Sequence, residues 1–267
     1  GKAVALVLTA PTFALRGEPF QVHLAALDAY ANRASSYTGE VKIGSEGARV
    51  ECPSSHIFSP DDKGAVSFKV LPLEEGIVRF FAMGDERGIF ARSNPVKILK
   101  EWPEHKLFWG DIHGHSCLSD GSGTTDDFYL YARDVAGLDV ASLTDHDHWG
   151  FFPLDEYPEM WELIKKKARE YYQPGKFVTF LGYEWTSWDY GHYHVLYPGE
   201  DGSLLSSLAK DTSDPKGLWK ALEGSEAITI PHHPSGGPEP MDFSFYGGPD
   251  VEPLVEIVSV HGVSEVY

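Results

Sequence analysis

Nine of the 12 histidines in this 267-residue chain lie between residues 113 and 261, and most stand directly after an apolar run: His113/His115, His146/His148, His192/His194, His232/His233 and His261. That placement restricts the fold. Polar side chains delivered just past successive strands converge at one end of a sheet, as in a β/α barrel whose site gathers at the C-terminal ends of its strands. Acids are interleaved with them, in Asp111-Ile-His113-Gly-His115-Ser-Cys-Leu-Ser-Asp120-Gly121 and in Thr144-Asp145-His146-Asp147. Two histidines one residue apart on an extended segment point to the same side and can grip one cation. A single His-x-His pair is usually structural or solvent-facing; its repetition after successive apolar runs points to a metal site.

From residue 106 onward, helix and strand signals alternate. Leu107-Phe-Trp109 leads into the first histidines, and residues 126–135 carry an acidic first turn and stop before Gly137, as a helix should. A second strand over 138–144 delivers His146. A helix over 155–172 stops at Pro174-Gly175, and a third strand over 177–181 delivers Glu184. His192 to Tyr197 forms a fourth, helical turns at 203–223 precede a fifth over 227–230 that ends at His232 and His233, and 254–260 reads as a sixth.

Residues 1–100 have a different texture. Gln21-Val-His-Leu24, Val66-Ser-Phe-Lys-Val70 and Val78-Arg-Phe-Phe-Ala82 show the period of two expected of half-buried strands. Turn chemistry separates them at Arg16-Gly-Glu-Pro19, Asp61-Asp-Lys-Gly64, Glu75-Gly76 and Gly84-Asp85. Several short strands at such spacing predict an all-β, Ig-like sandwich over 1–100, and the chain is expected to be multi-domain, with a second domain over 101–267. No clustered ligands or nucleophile–base pair occur in the first hundred residues, which predicts docking or scaffolding there rather than chemistry.

Forty acidic against 22 basic residues give a net charge of −18, which repels polyphosphate backbones, so no nucleic-acid partner is expected. No stretch approaches the roughly 18 consecutive apolar residues of a membrane span. Cys52 and Cys117 are too few for a disulfide scaffold, which leaves the compartment open: cytoplasmic, or exported if an upstream leader has been removed.

Asp-Ile-His-Gly-His with Ser-Asp-Gly, then Thr-Asp-His-Asp, resembles the polymerase-and-histidinol-phosphatase (PHP) superfamily of metal-dependent hydrolases, and within it the DUF3604 group. Supporting phrases are Tyr131-Ala-Arg-Asp-Val-Ala-Gly-Leu138, Leu181-Gly-Tyr-Glu184-Trp-Thr, Gly191-His192, Ile230-Pro-His232-His233 and Val255-Glu256-Ile-Val-Ser. Ala26-Leu-Asp-Ala-Tyr30, Tyr37-Thr-Gly39 and Ser93-Asn-Pro95 are similar to bacterial Ig-like modules. The first resemblance implies a distorted (β/α)7-type PHP barrel holding two or three divalent metal ions (Mn, Fe or Zn). It also implies hydrolysis of a small phosphomonoester or phosphodiester by metal-activated water. By the family pattern, His113, His115 and Glu184 hold one metal; Glu184, one of His192/His194 and one of His232/His233 a second; Asp120 and His146 a third. Glu184, His146 and Asp120 are the expected catalytic residues, with Glu184 bridging. His194, which precedes Val-Leu-Tyr, is preferred to His192, and His233, which precedes Pro234, to His232.

Asp111, Asp145 and Asp147 are expected to orient ligands or support the fold, His148 and His261 to sit on loops, and Cys117 to be a packed thiol. Trp149, Trp185 and Trp188 follow ligand-bearing strands and suggest an aromatic-walled cleft for an organic ester or diester. The arginine that phosphatase branches often place after the histidine-proline pair is absent from Pro234-Ser-Gly-Gly-Pro-Glu-Pro240. The family's last strand also brings an Asp-x-His pair, and nothing after Val260 supplies it. The barrel is therefore expected to be incomplete at its C-terminus, with a missing segment or a second chain completing it. Two alternatives accompany the phosphoesterase reading: a metal-dependent amidohydrolase, and a non-catalytic surface-binding module with a vestigial barrel.

Overall fold

The computed structural model describes residues 1–84, 89–235 and 240–265. The expected Gly84-Asp85 turn and the stretch after Ser235 therefore lie partly outside the described residues. Two compact units emerge: Gly1–Trp109 with Leu130–Leu138, and Gly110–Tyr129 with Asp139–Tyr267. The first unit thus runs past residue 100 and takes in a short segment from the middle of the chain.

In the first unit, strands β1 (Ala5–Thr9), β2 (Phe13–Leu15), β3 (Phe20–Leu27), β4 (Glu40–Gly47), β5 (Val50–Glu51), β6 (Ser55–Ile57), β7 (Ala65–Pro72), β8 (Gly76–Gly84), β9 (Phe90–Arg92) and β10 (Val96–Leu99) form two sheets. One has the order β1-β3-β7-β5; the other runs β2-β10-β8-β4-β6, with β9 added to β8. The pairings are antiparallel except β2 with β10. The alternation read from sequence sets the inner faces. Val78, Phe80 and Ala82 of β8 are buried and meet Val22, Leu24 and Val70 of the other sheet in one apolar core.

In the second unit, β11 (Gly110–Asp111) leads to α1 (Thr125–Leu130), β12 (Val140–Ala141), α2 (Pro158–Tyr171), β13 (Val178–Thr179), β14 (Leu181–Ser187), β15 (Gly191–Tyr197), α3 (Pro215–Leu222), β16 (Ile228–Pro231), β17 (Val258–Ser259) and β18 (Gly262–Val263). Thr124 and Asp127 cap α1 reciprocally: Asp127 N–H donates to Thr124 Oγ1 (3.2 Å) and Thr124 N–H to Asp127 Oδ2 (2.9 Å). The helix expected over 126–135 is real, but it loosens into a π-helical turn at Tyr131–Val135 before Gly137, whose φ of 63° ends it. Proline opens α2, and Trp161, Ile164 and Ala168 bury one face of it.

β11, β12 and β13 pair in parallel, in chain order, as a β/α layout requires. The next three strands do not. β14, β15 and β16 form an antiparallel sheet, so the described residues do not close into the expected parallel (β/α)7 barrel. Loop length is the physical reason for the first of these reversals. Only Trp188, Asp189 and Tyr190 separate β14 from β15, and a parallel crossover needs a dozen or more residues, whereas a short turn sends the chain straight back. Gly191, at φ 84°, takes the left-handed conformation as the chain re-enters the sheet. The sixth strand expected over 254–260 is also corrected: only Val258–Ser259 pairs, in a small hairpin with β18, while Glu256 N–H donates to Pro231 O (3.0 Å). Among the described residues, no helix is long and apolar enough to cross a membrane.

Candidate metal centre

All seven residues of β14 and all seven of β15 are buried, so the hairpin has two inner faces of opposite chemistry. Register decides which residues share a face. Glu184 pairs with His194 and Thr186 with His192, placing these four on one side; Tyr183, Trp185, Tyr193 and Val195 occupy the other and pack as apolar core. A parallel bridge between His146 and Glu184 brings the loop after β12 alongside β14, with Glu184 N–H donating to Asp145 O (3.0 Å) and Asp147 N–H to Glu184 O (2.9 Å).

Glu184 is fully buried and sits among six imidazoles. Its Oε1 lies 2.8 Å from His192 Nδ1, 2.8 Å from His232 Nε2 and 3.3 Å from His146 Nδ1; its Oε2 lies 3.2 Å from His115 Nε2, 3.7 Å from His113 Nε2 and 3.8 Å from His194 Nε2. Asp120, on the more open side, places Oδ1 3.6 Å from His115 Nδ1 and 3.7 Å from His146 Nε2.

The hydrogen bonds behind these rings fix their tautomers. Ser119 Oγ–H donates to Asp145 Oδ1 (2.5 Å), so its oxygen accepts from His115 Nδ1–H (3.2 Å). In the neutral ring, His115 Nε2 then presents a lone pair to the Glu184 carboxylate. His113 Nδ1–H donates to Glu256 (2.9 Å to Oε2), which leaves its Nε2 lone pair facing Glu184 as well. His146 Nδ1–H points at Thr186 Oγ1 (2.6 Å) and Glu184, leaving Nε2 to face Asp120. Three lone pairs thus face carboxylate oxygens across 3.2–3.7 Å. Acceptor against acceptor is repulsive unless a proton or a cation lies between. Buried Glu184 Oε2, His194 Nε2 and both His232 nitrogens also have no hydrogen-bond partner. The donor set fits a cation.

Electrostatics point the same way. Burial pushes His146 down to about 4 and His194 to about 3, so both are neutral and able to donate lone pairs at pH 7. Burial alone would raise Glu184, but the surrounding imidazoles of His115, His192, His194 and His232 outweigh it and hold the carboxyl well below its usual range. His115 moves the other way: burial lowers it, and the Glu184 carboxylate more than reverses that.

Donor atoms within 4.8 Å of one another group as His113/His115/Glu184, His115/Asp120/His146, His146/Glu184/His192, His192/His232/His233 and His113/His194/His232/Glu256. In the third group the His146 and His192 nitrogens that face Glu184 carry hydrogens, so hydrogen bonds rather than a cation close it. Every candidate ligand read from sequence lies in one of these groups. The pairs treated as alternatives are not exclusive, because His192 and His194 share a strand face and both reach Glu184. His232 touches Glu184, whereas His233 does not and instead meets His192 and His232. Glu256, which had no assigned role, is the residue that sequence reasoning missed; its only signal was the Val255-Glu256-Ile-Val-Ser phrase.

The supporting residues sort cleanly. Asp145 accepts from Ser116 N–H, Ser116 Oγ–H and Ser119 Oγ–H and pins the loop that carries His115. Buried Asp147 accepts from Thr186 N–H (3.1 Å) and Ser207 N–H (2.6 Å). Asp111 accepts from His113 N–H. His148 bonds to Asp147 and Ser207, and exposed His261 lies against the His233 ring. Cys117 is exposed, which corrects the expectation of a packed thiol. Trp185 is core, its Nε1–H bonded to Thr212 O, while Trp149 and Trp188 are each 44% exposed and flank His146 and His192 at ring-centroid distances of 4.8 and 5.7 Å.

Residues 139–241 match the family described as "Protein of unknown function (DUF3604)". The DUF3604 segment contains His146, Glu184, His192, His194, His232 and His233; His113, His115, Asp120 and Glu256 fall outside it. No curated protein matches the chain. Among solved structures, the S-layer protein rSbsC(31-844) is 17% identical, with a TM-score of 0.30 over 38% of this chain and 14% of that one. The D00-D0 domain of Intimin is 13% identical (TM-score 0.29; 34% of this chain, 45% of that one). A glycosyl hydrolase family 2 member from Bacteroides cellulosilyticus DSM 14838 is 15% identical (TM-score 0.30; 34% and 15%). The chain spans less than half the length of each.

Proposed function

We propose that the second unit is a metal-dependent hydrolase of PHP-type chemistry that cleaves a small phosphomonoester or phosphodiester, and that the first is an Ig-like docking or scaffolding module. The observation that carries this reading is the set of imidazole lone pairs from His113, His115 and His146 facing the carboxylates of Glu184 and Asp120. His113, His115 and Glu184 would hold one divalent cation, Asp120 and His146 another. When bound, such cations supply Lewis-acid polarisation of a phosphoryl oxygen and lower the pKa of water from ~15.7 toward ~7.

The chain's own residues do the rest. Glu184 brings a buried negative charge that offsets cation charge where water cannot, and Asp145, Thr186 and Glu256 hold the rings so that the right nitrogen faces inward. Asp120, 45% exposed at its side chain, lies on the side where a substrate can enter, and Trp149 and Trp188 offer apolar surface beside His146 and His192. Among the described residues, the ion pairs of Glu184, Asp120 and Glu256 are all with histidines, which leaves phosphate recognition to the cations and favours substrates of low charge in this acidic protein.

Metal analysis of the purified protein, followed by a screen of aryl phosphates, phosphodiesters and amides, tests the reading. Two or more equivalents of transition metal and chelator-sensitive phosphoester cleavage are expected. Substoichiometric metal would refute it, and turnover of amides alone would move the assignment to an amidohydrolase.

A further inference from the structure

Trp149 and Trp188 stand apart from the other tryptophans of the second unit. Trp161, Trp185 and Trp219 are anchored by indole N–H bonds to Gly202 O, Thr212 O and Thr229 Oγ1. Neither Trp149 nor Trp188 has a protein acceptor among the described residues, and both rings are half-exposed. They touch each other, with centroids 5.6 Å apart and planes at 67°. Each also rests on an imidazole of the metal centre: Trp149 on His146 at 4.8 Å and Trp188 on His192 at 5.7 Å. Those two imidazoles lie 6.0 Å apart, so the four rings close a circuit. Single apolar side chains on a surface need no explanation, but an adjoining pair set directly on a polar centre has the make-up of a ligand cleft.

Rigid backbone holds both rings in place. Gly150, next to Trp149, adopts φ 135°, and a Cβ there would overlap Ser119 Cα, so the Trp149 turn packs directly on the loop that carries Asp120. Phe152 N–H donates to Leu118 O (2.9 Å) and closes that contact. Trp188 opens the turn between β14 and β15, where Ser187 Oγ accepts from Asp189 N–H (3.3 Å) and Tyr190 N–H (3.2 Å). Among the described residues, lysine–ring contacts fall on Trp102, Trp161 and Phe245, so no cation covers Trp149 or Trp188. An apolar surface already ordered before binding loses little entropy when it receives a ligand.

We propose that Trp149 and Trp188 form the subsite for the organic group of the phosphoester, and that this group is an aromatic ring. Indole faces and edges pair with a flat ring in offset or edge-to-face arrangements that a saturated group of similar size cannot make. The free indole N–H groups are donors for a polar substituent on that ring. Phosphate is left to the cations, so the tryptophan pair sets which esters are accepted. The inference rests on the phosphoester reading above.

Calorimetry of metal-loaded protein with two non-hydrolysable probes tests it: benzylphosphonate, and cyclohexylmethylphosphonate, which is of similar size but lacks the π-system. The wild-type protein should bind the benzyl probe roughly 2–10-fold more tightly. Trp149→Leu and Trp188→Leu keep an apolar side chain and should each bring that ratio toward one, while Trp188→Phe should retain most of it. Equal affinities in the wild-type protein, or a benzyl preference that survives in both leucine variants, overturns the aromatic subsite and leaves phosphoester hydrolysis standing. Tighter binding of 2-(trimethylammonio)ethylphosphonate than of benzylphosphonate also overturns it, in favour of a cationic group. Metal-loaded protein that binds none of these phosphonates overturns the phosphoester reading beneath it. Should the leucine variants fail to fold, nuclear Overhauser effects in wild-type protein decide the matter: contacts from the benzyl protons to two indole rings are expected, and their absence overturns the proposal.

Discussion

Glu184→Gln keeps the size of the side chain and removes its charge. In the wild-type protein Oε2 faces the His113 and His115 nitrogens at 3.7 and 3.2 Å, while Oε1 accepts from His192 at 2.8 Å. With a cation held between Oε2 and those two imidazoles, an amide satisfies one of these demands at most, since its single oxygen cannot both ligate the cation and accept from His192. Exchanging a charged partner for a neutral one costs about 1.5–3 kcal/mol. At ~1.4 kcal/mol per tenfold, a cation held by His113, His115 and Glu184 should bind on the order of 10–100-fold more weakly. The His192 tautomer is also freed, so uptake at neighbouring sites should fall to a lesser degree. Chelator competition with Zn2+ measures the affinity, and far-UV circular dichroism should be unchanged because β14 keeps its ladder to β15. A variant that binds its cations as tightly as wild type would refute the central role given to this carboxylate, and retained turnover would remove Glu184 from the chemistry.

Other expectations follow from the same contacts. Glu256→Gln should weaken metal binding by about 10–100-fold through misorientation of His113, measured by the same competition, with the fold intact. Trp185→Ala removes a fully buried ring and should cost ~3–5 kcal/mol, whereas Trp188→Ala at the exposed position should cost under ~1 kcal/mol; thermal or urea melts compare the two. Burial would raise the Asp62 carboxyl, but Ser59 N–H, His56 and Ser59 Oγ–H hold it below its ordinary value. The folded chain therefore releases this proton more readily than the unfolded one. Its contribution is present above the usual aspartate pKa and is lost as pH falls below it, so Asp62→Asn should destabilise by roughly 0.5–1 kcal/mol at neutral pH, in the range of an N-terminal cap, and by nothing measurable in acid.

What the sequence determined by itself is local. The period of two in β3, β7 and β8 fixes which side chains enter the core, the acidic first turn and Gly137 bound the helix that begins with α1, and the positions of His113, His115, His146 and Glu184 after apolar runs announce a shared site. Strand direction was only partly legible. The apolar runs of β14 and β15 look alike whether parallel or antiparallel, and it is the short Trp188–Tyr190 turn that reverses the chain. Only tertiary structure could show that His192 and His194 both reach one carboxylate, that a left-handed turn joins His232 to His233, and that Glu256 comes to rest on His113 from 143 residues away. Periodicity is written in neighbouring residues. Tautomers and shared ligands depend on contacts closed across long stretches of chain, and no local pattern encodes which of two adjacent imidazoles will meet a carboxylate there.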